Sequence, residues 1–471
     1  MATPRRKKYR PWNPPAYATQ AFTPADRLPE GDLVFFLLDT VPQLDLQPFY
    51  ASYEVETRGQ PPFDPGLLVC LLLYAYCVGV YSSRKVAAAC ERNLAFLAIV
   101  GDDRPDFRTL SDFRKGHLGA FADLFLQVLR LAAEAGLVRL GNLAFDGSKF
   151  LGQASRHKAM SYGYMKQEEA RLRAEIRALL QQAQQTDAQE DAALGSRRGD
   201  ELPAELQRRE QRLAVIGAAK RRLEEQARAG AEAERQRRAE AEAERQRTGQ
   251  KRRGQEPKPV REVPDDTAQT SLTDPELRVM KQSNKGWDYS GNAQVSVDAT
   301  CQIIVACFVT AAANDQQQAV PLAQATRANL EAAGIAWPRD EAGAARQVAA
   351  TADTGYFSAA AVAGLEGLDF DPYLATRRQK HHAAAEPVVA VAAGATAKER
   401  MAAKLRTPEG QALYARRKVI VEPVFGQVKG ARGFRRFLLR GLEKVNGEWR
   451  LVCLTHNLLK LWRYGSALSN N

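Results

Sequence analysis

Apolar residues recur at helical spacing through the first third of the chain, over residues 28–140. Nearly every position between residues 66 and 81 is apolar, which predicts a helix buried on all sides. This run is shorter than the roughly 20 residues that a bilayer span needs. A serine pair at residues 82–83 predicts the start of a helix that ends at Gly101, and Ser111 is a candidate cap of the next helix. The segment therefore predicts a helical N-terminal domain.

The periodicity changes after Asn142 to that of short strands. The first run, residues 143–151, is apolar around Asp146 and predicts a buried strand. Helices are predicted between later strands, from about residue 317 and from Ser358. The apolar runs at residues 288–298 and 303–309 are typical of an antiparallel hairpin. These later runs are residues 288–298, 303–309, 347–352 and 370–375.

Low complexity interrupts the strand pattern between residues 166 and 261. The stretch is rich in Ala, Glu, Gln and Arg, with near-repeats such as AEAERQRRAEAEAERQR, and has strong helix propensity but little apolar stripe. Two interpretations stay open, a long exposed pair of helices or disorder over residues 230–266. The whole pattern predicts an α+β or α/β protein. A helical domain precedes a mixed β-sheet with flanking helices, and a long basic insert interrupts the sheet.

The composition adds a strong positive charge to this picture. The 471 residues carry a net charge of +12, with a pI near 9.4. This balance predicts a polyanionic partner or a solvated basic tail. The six cysteines form no CxxC pair and the five histidines show no zinc spacing, so we expect reduced thiols in a cytosolic protein without a structural zinc. The basic N-terminus lacks the apolar region of a secretory signal.

Three carboxylates are candidates for chemistry. Asp146 and Asp353 lie in or at the ends of short apolar strands, where a carboxylate is poorly solvated unless it is paired or binds a metal. Glu422 lies in a helix that is predicted to begin at Thr407. Three carboxylates that converge at one sheet edge repel each other, and Mg²⁺ or Mn²⁺ would balance them through oxygen ligands. Such ions activate a water or a 3′-hydroxyl for attack on a phosphodiester.

Basic residues flank Glu422 on both sides, at residues 416–418 and at Lys429. Lys429 follows seven residues later, two turns along the same helical face, while Pro423 is expected to kink the helix. Cations at these positions would hold phosphates in place. The competing interpretation is an amphipathic surface helix that carries one glutamate.

At these acids the sequence resembles the DDE transposases of bacterial insertion sequences, which have a ribonuclease-H-like core. FDGSK around Asp146, ATADTGY around Asp353 and YARRKVIVEPVFGQVK around Glu422 are similar to the three family motifs, in order. The common last motif has Tyr seven and Arg four residues before the Glu, whereas Tyr414 is eight and Arg417 five residues before it. The helical region resembles the InsH-like N-terminal domain through GVYSSRKVAAACERNLAFLAIVG and PDFRTLSDFRKGH.

The resemblance implies a transposase that excises and inserts a mobile element by metal-dependent hydrolysis and strand transfer at terminal inverted repeats. Asp146, Asp353 and Glu422 would be the catalytic residues and would bind Mg²⁺ or Mn²⁺. The partners would be double-stranded DNA and a second copy of the chain on that DNA, with no membrane, in the bacterial cytoplasm at the nucleoid. The residues expected to bind DNA are Arg84, Tyr414, Arg417 and Lys429.

The expected domain organisation follows from the same comparison. A ribonuclease-H-like catalytic domain would contain the insert, and a DNA-binding domain would precede it. The expected ranges are a basic tail at 1–27, the helical domain at 28–140, the catalytic domain at 141–463 with its insert at 166–261, and a tail at 464–471.

Two other functions remain open. A ribonuclease-H-like nuclease would cleave without strand transfer, and a basic coiled-coil protein would bind DNA without catalysis. Asp315 and His456 are weaker candidates for a role, because a turn aspartate and a packed histidine explain them equally well.

Overall fold

The computed structural model describes residues 9, 11–12, 23–54, 60–154, 159–194, 204–248, 258–282, 285–377 and 394–468. The chain divides into two compact units. One comprises Met1–Gly152 together with Val279–Asn471, and the other comprises Gln153–Arg278. None of the described helices combines the length and apolarity that crossing a bilayer requires.

Among the residues that the structure describes, seven α-helices form the N-terminal part of the first unit. Asp64 caps α3 by accepting a hydrogen bond from Gly66 N at 2.7 Å, and every residue of α3 is buried, as its apolar sequence predicts. The helices are α1 Leu33–Thr40, α2 Gln47–Tyr50, α3 Pro65–Cys77, α4 Ser83–Arg92, α5 Leu94–Val100, α6 Phe107–Gly116 and α7 Leu118–Glu134.

Two helix boundaries differ from the predictions. The helix expected to run to Gly101 breaks at Asn93, whose side chain accepts from the main chain of Ala95 and so starts a second helix. The cap predicted at Ser111 is wrong, because Ser111 lies inside α6. Asp106 caps that helix instead and accepts from Thr109 N at 2.7 Å.

A mixed sheet follows, built around β1. Its order is β4–β5–β1–β7–β8, with β6 also paired to β5. β5 and β6 form the predicted antiparallel hairpin, β1 is antiparallel to β5, and β1, β7 and β8 are mutually parallel. The strands are β1 Asn142–Leu151, β4 Arg278–Lys281, β5 Trp287–Asp298, β6 Ile304–Thr310, β7 Val348–Ala352 and β8 Phe370–Leu374.

Helices flank this sheet and share one hydrophobic core with the N-terminal helices. They are α10 Ala319–Ala332, α11 Ala359–Glu366, α12 Ala397–Lys404, α13 Pro408–Gly426 and α14 Leu442–Leu468. Thr407 caps α13 as predicted, and a π-helical turn, Gln427–Ala431, follows Pro423. The helical part and the mixed sheet confirm the predicted α+β architecture, consistent with a ribonuclease-H-like fold.

The last helix closes the open edge of β6. Asn457 on α14 donates to Ile304 O at 2.8 Å and accepts from Ile304 N at 2.9 Å. Asn446, three turns earlier, makes the same pair of bonds with Val309, at 3.0 and 2.7 Å. The side chains therefore satisfy main-chain groups that an edge strand would otherwise leave unpaired.

The second unit holds most of the insert. It contains β2 Ala159–Ser161, α8 Tyr162–Leu194, α9 Ala204–Thr248 and β3 Gln269–Ser271, with β2 antiparallel to β3. α8 and α9 pack through a small apolar cluster that includes Met165, Leu172 and Ile216. Ion pairs such as Lys220–Glu169 at 2.9 Å join the two helices. The described part of the insert is thus a pair of charged helices.

Candidate active site

The sheet brings Asp146 and Asp353 side by side. β1 and β7 are parallel, and Ala144 is the partner of Thr351. Two residues further along lie Asp146, still on β1, and Asp353, which directly follows the last residue of β7. The charge of Asp353 adds to the effect of burial in raising the pKa of Asp146, so the two carboxylates are close. Neighbouring strands are about 4.8 Å apart, and residues in register on parallel strands share one face. The parallel pairing of β1 with β7 therefore directs the two acids to the same end of this strand pair.

Asp146 is a largely desolvated carboxylate. Its Oδ1 accepts from Gly147 N at 2.8 Å, and its Oδ2 lies 3.4 Å from Nη1 of Arg417 on α13. The side chains of Asp146 and Arg417 are only 19% and 9% exposed. Burial raises the pKa of Asp146 to about 7, with further increases from the charges of Asp353 and Asp315, while Arg417 lowers it. Arg417 therefore supplies the positive charge that balances Asp146.

Asp353 begins a short 3₁₀ turn directly after β7. Its Oδ1 accepts from Gly355 N at 2.9 Å. A Cβ atom at Gly355 would lie 3.1 Å from Asp353 Oδ1 and 3.6 Å from Asp315 Oδ2. The carboxylates of Asp353 and Asp315 therefore border the same small space, which the missing side chain of Gly355 leaves open.

Asp315 is the residue whose place in the site the sequence did not establish. Its Oδ1 accepts from Asn292 Nδ2 and from Gln294 Nε2, both at 2.7 Å. Asn292 and Gln294 are buried polar residues of β5, two positions apart on one face of a strand. The alternating polar residues of β5 are visible in the sequence and could have indicated a polar network at this point. The Asn314-Asp315 pair comes soon after the end of β6.

Glu422 does not join the two aspartates. It lies on α13 as predicted, but its side chain is exposed and makes no hydrogen bond or ion pair with any described residue. Arg417 is the side chain of this helix that reaches Asp146. Five residues separate the two along α13, which is about 140° around an α-helix. Among the described residues, no group of three or more His, Cys, Asp or Glu is placed to hold a metal ion.

Lys429 contacts β1 from the π-helical turn. Its amine donates to Ser148 Oγ and to Lys149 O, both at 2.7 Å, and lies 4.3 Å from the centre of the Phe150 ring. Burial lowers the pKa of this amine to about 8. These contacts hold the end of α13 against the strand that carries Asp146.

The remaining predicted residues fall in different places. Tyr414 is half-buried on α13, with the Arg417 guanidinium 5.9 Å from its ring centre. Arg84 is exposed at the start of α4, with its guanidinium 5.0 Å from the Phe107 ring centre. His456 is buried, and its Nε2 lies 2.9 Å from Gln302 O. Burial lowers the pKa of His456 to about 3, which fits a neutral packed histidine.

Asp146 and Asp353 provide the kind of oxygen ligand that a divalent cation binds, but two carboxylates are fewer than the predicted three. Asp146 and Asp353 offer carboxylate oxygens, the ligands that Mg²⁺ and Mn²⁺ take, and Gly355 leaves space beside them. A cation would also offset the burial and the neighbouring negative charges that raise the pKa of Asp146. Glu422, as placed, contributes nothing to this set.

Comparison with known proteins gives two family matches. Residues 375–462 match the model of a transposase DDE domain, and this segment contains Glu422 and Lys429. Residues 22–116 match the model of a transposase domain and contain Arg84. No curated protein and no solved structure matched the chain. The two matches support the resemblance to DDE transposases within these two segments, and Asp146 and Asp353 lie outside both.

Proposed function

We propose that this chain, which its two family matches support as a DDE transposase of an insertion sequence, excises and inserts its element by cleavage and strand transfer at terminal inverted repeats. One observation carries the proposal. Asp146 lies on β1, Asp353 directly follows β7, which pairs parallel with β1, and Arg417 of α13, within the matched DDE segment, reaches Asp146.

Asp146 and Asp353 would hold the divalent cation, Mg²⁺ or Mn²⁺, and Glu422 would complete the set when DNA is bound. When present, the cation would activate the attacking water or 3′-hydroxyl and stabilise the leaving oxygen. Arg417 balances the charge of Asp146 in its absence. Burial of Asp146 and Arg417 strengthens the electrostatic interaction between them.

DNA would reach this site across a basic surface. We propose that Arg84, Tyr414, Arg417 and Lys429 contribute DNA contacts, and that the net charge of +12 supports binding along the duplex. Lys429 would act from its position against β1, since its amine is bonded there. Two element ends must be joined together, so a homodimer on DNA in the bacterial cytoplasm is part of the proposal.

The test uses the full chain and its own terminal DNA. Asp146→Asn and Asp353→Asn should abolish metal-dependent cleavage while DNA binding survives, because each removes a cation ligand but little volume. Glu341→Gln is the control, because it removes the same charge from an exposed residue outside the site. This variant should cleave DNA like the wild type. Cleavage by Asp146→Asn at the wild-type rate would overturn the assignment.

A second assay separates strand transfer from simple hydrolysis. The protein is given a pre-cleaved end with a free 3′-hydroxyl and a second duplex. Joining of the two supports the transposase. Cleavage without joining would indicate the nuclease, and DNA binding without cleavage would indicate the non-catalytic DNA-binding protein.

A further inference from the structure

Basic residues gather around the end of β1 that follows Asp146. The amine of Lys149 reaches across β5 to the main chain of β4 and donates to Lys281 O at 3.0 Å. On the other side of β1, Leu151 N donates to Arg435 O at 3.1 Å, so the loop after the π-helical turn runs beside the strand. These contacts bring together a basic strip that consists of Lys149, Lys281, Lys285, Arg435 and Arg436.

The strip is held by main-chain carbonyls and not by carboxylates. Besides the bond from Lys149, Arg435 Nε donates to Lys429 O at 3.0 Å and Arg436 Nη1 donates to Gly152 O at 3.4 Å. A lysine amine has three donors and a guanidinium has five, so most of them stay available.

The charge of the strip is also uncompensated. None of its five residues forms an ion pair with a described residue. Elsewhere in the chain such pairs are common, and in the insert Lys220 binds Glu169 and Arg235 binds Glu262. A set of fixed cations without counter-charges is suited to binding phosphates.

An exposed tryptophan lies at the far end of the strip. Trp287 begins β5, two residues after Lys285 in the turn from β4. It is 54% exposed, and its indole N–H makes no hydrogen bond with the described residues. The next residue, Asp288, is the neighbouring acid, and its Oδ1 accepts from Tyr289 N at 2.9 Å. Cations together with an exposed aromatic ring are the combination by which proteins hold single-stranded DNA.

Protection of a sheet edge accounts for only part of this surface. β4 is the edge strand of the sheet, and a lysine such as Lys281 prevents pairing with a second sheet. Arg435 and Arg436 lie on a loop, where no such protection is needed. The exposed ring of Trp287 would favour association, so it works against protection of the edge.

The strand register gives the path that the strip covers. Lys149 is three residues after Asp146, which is roughly 10 Å along a strand. Leu151 is opposite Ser290, and Trp287 lies three residues beyond that pair. Trp287 is therefore roughly 26 Å from Asp146 along the direction of the strands. The strip lies between the two, so it connects the candidate active site with the exposed ring.

We propose that the basic strip and Trp287 bind an unpaired DNA strand that leaves the active site, with phosphates on the cations and one base stacked on the indole. The strand is unpaired because a base exposes its face to an indole only when it has left the duplex stack. The inference rests on the proposed function, since it gives the DNA a path from the same pair of aspartates.

The experiment compares two DNA probes on the full chain, a single-stranded oligothymidine and a duplex of the element's terminal sequence. Fluorescence anisotropy measures both affinities, with a chelator present so that no cation contributes. Trp287→Ala should weaken binding of oligothymidine about tenfold, which is the scale of one lost stacked base, and should leave duplex binding unchanged. Trp287→Phe keeps a ring and should recover most of the lost affinity.

Two charge variants test the cations. Lys281→Gln and Arg436→Gln each remove one positive charge from an exposed residue. Each should reduce the slope of the logarithm of oligothymidine affinity against the logarithm of salt concentration by about 0.7. Arg346→Gln is the matched control, because Arg346 is exposed and precedes β7, at the end of that strand away from Asp353. Its slope should equal that of the wild type.

Several results would refute the inference. These are a wild type that does not bind oligothymidine, wild-type affinity for oligothymidine in Trp287→Ala, or an equal loss by Trp287→Ala on both probes. A wild-type salt slope in both Lys281→Gln and Arg436→Gln would refute the path along the cations. Thermal unfolding checks that each variant is folded.

The cleavage assay of Asp146→Asn separates this inference from the function on which it rests. Loss of cleavage in Asp146→Asn, with normal DNA binding by the variants of the strip and of Trp287, would refute the path and leave the proposed function standing. Wild-type cleavage by Asp146→Asn would refute the proposed function itself, whatever the binding measurements show.

Discussion

The raised pKa of Asp146 predicts how the stability of the metal-free protein changes with pH. Burial raises this pKa from an ordinary 3.8 to about 7. The folded state therefore holds the proton more tightly than the unfolded state does. The resulting stabilisation is complete below pH 3.8 and is lost as the pH rises through about 7.

The size of the effect follows from the two pKa values. At pH 5 the folded carboxyl is protonated and the unfolded one is mostly ionised, whereas at pH 8 both are ionised. The difference is roughly two tenfold steps in proton affinity, about 2.7 kcal/mol at about 1.36 kcal/mol each. Asp146→Asn cannot titrate. The wild type should therefore lose roughly 2–3 kcal/mol more than this variant between pH 5 and pH 8.

Urea denaturation at the two pH values, with a chelator present, measures this difference. Comparing each protein with itself cancels the constant effect of the substitution, including the loss of charge opposite Arg417. Glu341→Gln should follow the wild type, because Glu341 is exposed. Equal losses of stability in the wild type and in Asp146→Asn would show that the site does not desolvate this carboxyl.

Three further substitutions test the packing around the sheet. Asn457→Ala removes both hydrogen bonds to Ile304 and should lower the free energy of unfolding by roughly 1–3 kcal/mol in urea, whereas an unchanged transition would show that the strand edge needs no cap. Gly147→Ala would place a methyl group 2.3 Å from the buried Gln294 amide and should slow DNA cleavage about a hundredfold, with wild-type cleavage contradicting this packing. Glu448→Leu removes a buried carboxylate that accepts from Leu438 N and Leu439 N and balances the charge of the buried Arg114. It should lower the free energy of unfolding by roughly 3–5 kcal/mol in urea, and a stability equal to wild type would refute this role of Glu448.

The local pattern of the chain determined its elements. Alternating and continuous apolar runs predicted β1, β5, β6, β7 and β8. A strand that is buried on one face alternates apolar and polar residues, and a strand buried on both faces is apolar throughout. Capping residues such as Thr407 marked helix starts for the same local reason. The break at Asn93 was missed because one asparagine can continue a helix or start another, and only packing decides between them.

The sequence also predicted that Asp146 and Asp353 meet, since each lies at or near the end of an apolar run. In the structure Asp146 is on β1, and Asp353 directly follows β7, which pairs parallel with β1. It could not decide which side of α13 faces them. Glu422 and Arg417 are both polar residues in an amphipathic stretch, and the rotation of the helix depends on packing against β1, through contacts such as Lys429 to Ser148.

Only the tertiary structure decided the place of Asp315. The aspartate and its two amide partners come from separate parts of the chain, and their meeting depends on the pairing of β5 with β1 and on the space left by Gly147. Local sequence patterns indicate which residues are buried, because buried positions are mostly occupied by apolar residue types. They do not record which buried residues touch, because contacts between distant segments arise only when the sheet and its helices pack together.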